Sequence, residues 1–97
     1  MSTQLRMLVQ NTVQDYPTWR QVFDENLSML PPFGLALEWV RVDTDDPTQV
    51  WFSLLVEDRA RADEFLSDPA NIDIGKRAGV TGGQIHYISD PVPTPES

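Results

Sequence analysis

His86 is the only histidine in the chain, and an imidazole titrates near neutral pH, so it can serve as a base. Alternation along Gln84 to Ser89 places it on the opposite sheet face from Tyr87, within reach of Glu38 and Arg6. The plainer reading is therefore a hydrogen-bonded interface histidine. A lone histidine with few carboxylates nearby is no metal site, and no metal is expected. Asn11 and Tyr87 fall on the other face. An Asn amide can bind a carbonyl or an enolate, and a Tyr hydroxyl can donate to a developing oxyanion. Their plainer roles are a turn cap for Asn11 and a packed ring for Tyr87. Trp19, Phe23, Trp39 and Phe52 can wall a planar ligand, or simply fill the core.

Other chemistries are excluded. The chain has no Cys, so thiolate catalysis and disulfides are absent. Asp45-Asp46 and Asp63-Glu64 are adjacent pairs, and neighbouring side chains diverge on a strand or helix. Ala78 to Gly83 (AGVTGG) lacks the Lys and spacing of a phosphate loop. Seven Lys+Arg against fifteen Asp+Glu leave a charge of −8. Phosphate backbones need a basic stripe, so a nucleic-acid partner is not expected. No apolar segment approaches membrane-spanning length, and no basic patch leads into an apolar run at the N-terminus. The expectation is a cytoplasmic protein with no membrane partner.

The elements that must position these residues follow from periodicity. Leu5 to Val13 alternates and predicts a strand. Asp15 or Thr18 caps a helix in which Trp19, Val22, Phe23, Asn26, Leu27 and Leu30 form one stripe. Pro31-Pro32 ends it and Gly34 turns the chain. Leu35 to Val42 and Val50 to Val56 read as an antiparallel hairpin. Asp58 caps a second helix, interrupted at Asp68-Pro69. Ala70 to Ala78 predicts a short helix, Val80 to Gly83 a loop, and Gln84 to Ser89 the last strand. Residues 1–89 make one domain, and the Pro-rich stretch 90–97 reads as a loose tail. This β-α-β-β-α-β order is an α+β, ferredoxin-like antiparallel sheet with helices on one face.

Strict alternation divides the sheet. Leu5, Met7, Val9, Leu35, Leu37, Trp39, Val50, Phe52, Leu54, Val56, Ile85 and Tyr87 face the helices. Arg6, Leu8, Gln10, Thr12, Glu38, Val40, Val42, Trp51, Ser53, Leu55, His86 and Ile88 face away. The second set is too apolar for plain solvent surface. Such a patch marks an interface, and its mixed polarity suits a copy of itself. A homodimer through Arg6, Gln10, Glu38, Trp51 and Ser53 is expected, with Trp51 as its anchor.

Several local patterns carry a resemblance: Asp15-Tyr16 with Trp19, Asp45-Asp46-Pro47, the run Glu57 to Pro69 (EDRARADEFLSDP), and Ala78-Gly79-Val80 with Gly82. With the element order, they resemble the dimeric α/β-barrel superfamily, and within it cyclase-like and antibiotic-biosynthesis-monooxygenase-like proteins. The resemblance covers about residues 5–89 and rests on caps, turns and helix stripes. It implies two sheets facing each other across a two-fold axis, with a ligand pocket inside each subunit between sheet and helices. Relatives include cofactor-free quinone-forming monooxygenases, polyketide cyclases and haem-degrading enzymes. Asn11 matches the asparagine of the haem-degrading branch. That branch also needs a Trp near the end of strand three, where this chain has Leu54-Leu55-Val56. It needs a following His, and residues 58–79 contain none. Haem is thereby disfavoured, and no cofactor is expected. The implied function is a homodimer acting without a cofactor as a cyclase, isomerase or monooxygenase on an apolar or aromatic molecule. The alternative is a non-catalytic binding or accessory module with a filled pocket.

Overall fold

The computed structural model describes residues 4–91. Strand β1 (Leu5–Val13) leads into helix α1 (Tyr16–Glu25). Asp15 caps that helix, accepting from the Thr18 backbone N–H at 3.0 Å. The same carboxylate accepts from the Thr18 hydroxyl at 2.7 Å, and this bond, the larger cause, with the backbone bond holds the Asp15 pKa below its ordinary value. The α-helix stops at Glu25, short of the predicted stripe, because Asn26 turns its side-chain amide back onto the Val22 carbonyl (2.7 Å). The rest of the stripe runs on in two 3₁₀ turns, Leu27–Met29 and Pro31–Phe33, which still bury Leu30. Gly34 closes them at φ 68°, a left-handed conformation that suits glycine.

Strands β2 (Leu35–Val42) and β3 (Gln49–Val56) form the predicted hairpin. Helix α2 (Arg59–Ser67) follows, capped by Asp58, and α3 (Pro69–Arg77) begins at once, with Asp68 ending one and capping the other. Strand β4 (Val80–Ser89) completes an antiparallel sheet of order β2-β3-β1-β4. The helices cover one face of it. Met7, Leu54 and Val50 lie fully buried there beneath Trp19, Ala62 and Phe65.

Two further expectations are corrected. Val80 to Gly83 is not a loop: it is the start of β4, pairing Gly83 with Asn11 and Gly82 with Thr12. Of the two glycines that suggested a turn, Gly83 instead allows close backbone approach, while a Cβ on Gly82 would meet nothing. An ideal Cβ on Gly83 would stand 2.1 Å from the Gln10 carbonyl oxygen. The second correction lies in β2, whose register against β3 shifts between Leu37 and Trp39. Glu38 is the extra residue of a bulge, and a bulge reverses the faces beyond it. Trp39 therefore lies opposite Ser53 on the outer face, while Val40 and Val42 lie opposite Phe52 and Val50 on the helix side. The predicted tail beyond Pro91 is outside the described residues, and Asp90 bonds Arg6 at 3.2 Å.

Candidate functional site between sheet and helices

The helices do not fill the sheet face. Between β1, β3, β4 and the helices lies a cavity of about 240 Å³. Its floor is Met7, Val9, Phe52 and Leu54 of the central strands. Phe23, Phe65 and Leu66 come from α1 and α2, and Asn71, Ile72 and Gly75 from α3. A crevice of about 50 Å³ adjoins it and shares Phe23, Leu30, Phe65 and Asn71. Of its lining residues, Ile72 on α3 and Ile85 on β4 are nearly half exposed (49% and 45%). A larger crevice of about 750 Å³, beside Gln4, Leu35 and Glu57, gapes to solvent and contains none of the candidate residues.

Two amides break the apolar lining. Asn11 sits on β1 because alternation turns it inward. The amide orientation that satisfies its neighbours lets its oxygen accept from Trp19 Nε1 (3.3 Å) and its nitrogen donate to the Gln10 carbonyl (3.3 Å). Its role is thus not a turn cap: it ties α1 to β1. Asn71 Nδ2 donates to the Phe65 carbonyl at 3.2 Å, holding α3 against α2. Each amide has two N–H groups and an oxygen with two lone pairs, so both keep capacity for a ligand oxygen. No ionisable side chain is among the lining residues.

The sequence-derived candidates separate. Asn11, Phe23 and Phe52 line the cavity. Trp19 stands behind them, buried and stacked on Phe23 with centroids 4.6 Å apart. Trp39 is displaced to the outer face by the bulge, where the Arg41 guanidinium lies 4.2 Å over its ring. Asp43, in the turn that follows, accepts from the backbone N–H groups of Asp45 and Asp46 (both 3.0 Å). Tyr87 faces the helices but does not line the cavity. Its hydroxyl donates to Asp63 Oδ1 at 2.6 Å and its ring carries Arg59 at 4.2 Å, pinning β4 to α2. His86 is exposed and, among the described residues, its one side-chain partner is Gln84 Oε1 at 3.3 Å. Arg6 and Glu38 are bound to each other (3.1 Å) rather than to His86. Asn71, Ile72 and Gly75 were missed. The available signal was the i, i+4, i+7 stripe of Asn71, Gly75 and Ala78.

Desolvation, first, and the Asp63 carboxylate push the Tyr87 pKa up from 10.0 to about 12. A pKa raised on folding gives stability that is complete below the unfolded value and lost as pH climbs to the folded one. The Tyr87 contribution is therefore whole below pH 10.0 and disappears toward about pH 12. Melting temperature followed from pH 9 to 12 should fall more gently in Tyr87→Phe than in the wild type. Parallel curves would refute the assignment.

The outer face carries a polar network within an apolar field. Arg6 Nε reaches both Glu38 oxygens at 3.1 Å, and the fully buried Ser53 donates to Glu38 Oε1 at 2.8 Å. These bonds, Ser53 first, hold the Glu38 pKa below its ordinary value. Gln10 Nε2 donates to Gln49 Oε1 at 2.6 Å. Around them stand Leu8, Leu55, Trp51 and Ile88, the last two 37% and 42% exposed.

No protein-family model matches the sequence, and no curated protein matches it. Solved structures do. A crystal structure of an antibiotic biosynthesis monooxygenase superposes with a TM-score of 0.68 at 20% identity, covering 92% of this chain and 99% of that one. SnoaB, a cofactor-independent oxygenase from Streptomyces nogalater, gives a TM-score of 0.72 at 13% identity over 97% of this chain and 99% of its own. An uncharacterized NIPSNAP domain protein from Burkholderia xenovorans gives 0.67 at 15% identity over 94% and 95%. These likenesses establish the ferredoxin-like fold.

Proposed function

We propose that this protein is a homodimer that binds a small apolar ring compound, bearing a phenolic or enolic oxygen, in the cavity between sheet and helices, and acts on it without a cofactor. The observation that carries the reading is an apolar cavity of about 240 Å³ with the Asn11 and Asn71 amides in its wall. Pockets for drug-sized ligands span roughly 300–1,000 Å³. This one suits a one- or two-ring molecule rather than an extended polycycle. The amides would hold the ligand oxygen and stabilise charge developing on it. With no ionisable group in the lining, the acidity must come from the ligand itself, as in an easily ionised phenol or enol. The likeness to a cofactor-independent oxygenase supports that direction.

The same lack of an ionisable group favours one other reading, a dimeric binding module that performs no chemistry. Dioxygen uptake separates the two. Consumption above the protein-free rate with a phenolic ligand, lost in Asn11→Ala, supports the enzyme; binding without uptake supports the module.

Binding itself is tested with 1-naphthol and naphthalene by calorimetry, and by native mass spectrometry of the freshly purified protein for a retained molecule. Asn11→Ala should weaken 1-naphthol about fivefold, the worth of one net hydrogen bond near 1 kcal/mol, and naphthalene far less. Equal losses for the two would remove Asn11 from oxygen recognition. If neither compound binds and nothing is retained, the ligand-binding reading fails.

A further inference from the structure

We propose that Gly75 of α3 is the residue that sets the size of ligand the cavity accepts, its missing side chain being space that the ligand occupies. The inference rests on the ligand-binding reading above and adds the determinant of ligand size. A glycine in a helix interior is unfavourable relative to alanine, because it loses more conformational freedom on folding. Helical glycines are therefore explained by a left-handed backbone or by a neighbour that would collide with a Cβ. Gly75 has neither. It is the seventh of nine residues in α3, its φ is not positive, and an ideal Cβ built on it meets nothing within 4 Å. Gly83 is the contrast, where a Cβ would strike the Gln10 backbone.

The position nevertheless faces inward. Gly75 lies four residues after Asn71 and three before the buried Ala78, on the stripe that turns toward the sheet. It lines the cavity together with Asn71 and Ile72. The space a side chain would take is therefore cavity space, close to one of the two lining amides. Packing gives no reason to leave it open. A ligand whose ring lies against the α3 backbone, with its oxygen toward Asn71, gives one.

The two roles predict opposite outcomes for one substitution. Gly75→Ala should raise the melting temperature by about 2–8 °C, since the helix gains and nothing is displaced. The same variant should bind 4-phenylphenol at least threefold more weakly, followed by calorimetry, while phenol binding changes less than twofold. Gly75→Leu should abolish binding of 4-phenylphenol and retain phenol. A fall in melting temperature for Gly75→Ala would show the glycine to be structural and overturn the inference. So would unchanged 4-phenylphenol affinity in both variants, with the ligand-binding reading left standing. If the wild type binds neither probe, the ligand-binding reading falls and this inference with it.

Discussion

Replacing Gly83 with alanine is expected to destabilise the fold by about 2–4 kcal/mol, while the same change at Gly82, one residue away, stays within about 0.5 kcal/mol. The difference lies in what a methyl group would meet. At Gly83 it would stand 2.1 Å from the Gln10 carbonyl oxygen and 3.2 Å from Asn11 Cα; at Gly82 it meets nothing within 4 Å. The obstacle is backbone, not the end of a flexible side chain. β1 cannot retreat, because β3 holds it in register on its other edge from Leu5 to Thr12. Relief must come from β4 separating from β1 where the register already shifts, between Thr12 and Val13. A domain of this size has only about 5–15 kcal/mol of net stability, so the loss is a large share. Urea unfolding followed by Trp fluorescence reads both variants. Equal midpoints for the two would refute the close approach. Because Gly83 pairs with Asn11, Gly83→Ala should also weaken 1-naphthol binding.

The second large effect is on assembly. If the outer face is the dimer contact, Trp51→Glu should convert a particle of twice 11.0 kDa into the monomer at micromolar concentration. Trp51 sits in the row Arg41, Trp51, Gln10, Gln84 near the middle of that face. A central aromatic anchor is worth about 2 kcal/mol or more, and two-fold symmetry counts the loss twice. About 4 kcal/mol weakens the dimer roughly a thousandfold. Ile72→Glu is the control: Ile72 is more exposed, at 49%, but lies on α3, off the sheet face. Light scattering at several concentrations checks both. A wild type that is monomeric, or a Trp51→Glu variant that stays dimeric, would refute the outer face as the interface.

Strand and helix periodicity was legible because it reports one-sided burial. Leu5 to Val13 and Leu35 to Val42 were bounded as they are observed. The helix cap Asp58 was legible from its acceptor side chain, and Asp15 was one of two candidates, with Thr18, for the first cap. The bulge at Glu38 was not, since Leu-Ala-Leu-Glu-Trp-Val-Arg-Val contains no glycine or proline to mark it. That one residue moved Trp39 out of the candidate site. Val80 to Gly83 reads as a loop from sequence because glycine signals both a turn and a close approach of backbones, and only the partner strand decides between them. Tyr87 was assigned to the correct face and still misses the cavity, because Asp63 and Arg59 draw it toward α2. Alternation gives the face of a side chain but not its position along that face. Asn71 and Gly75 went unread because a polar and a missing side chain interrupt the apolar stripe that announces a helix's inner side.

The strand order also bears on how the chain comes together in time. β1 is made first, yet neither of its partners is near it in sequence: Leu5 pairs with Val56 on one side and Ser89 on the other. Of the three strand pairings among the described residues, only the β2–β3 hairpin is local. Closing long loops is entropically costly before any contact offsets it, so β1 must wait while later elements form. As the chain leaves the ribosome, the strand that carries Asn11 stays without its second partner until the last strand has emerged. The cavity, which needs both edges of β1 closed, is then among the last features of the molecule to exist.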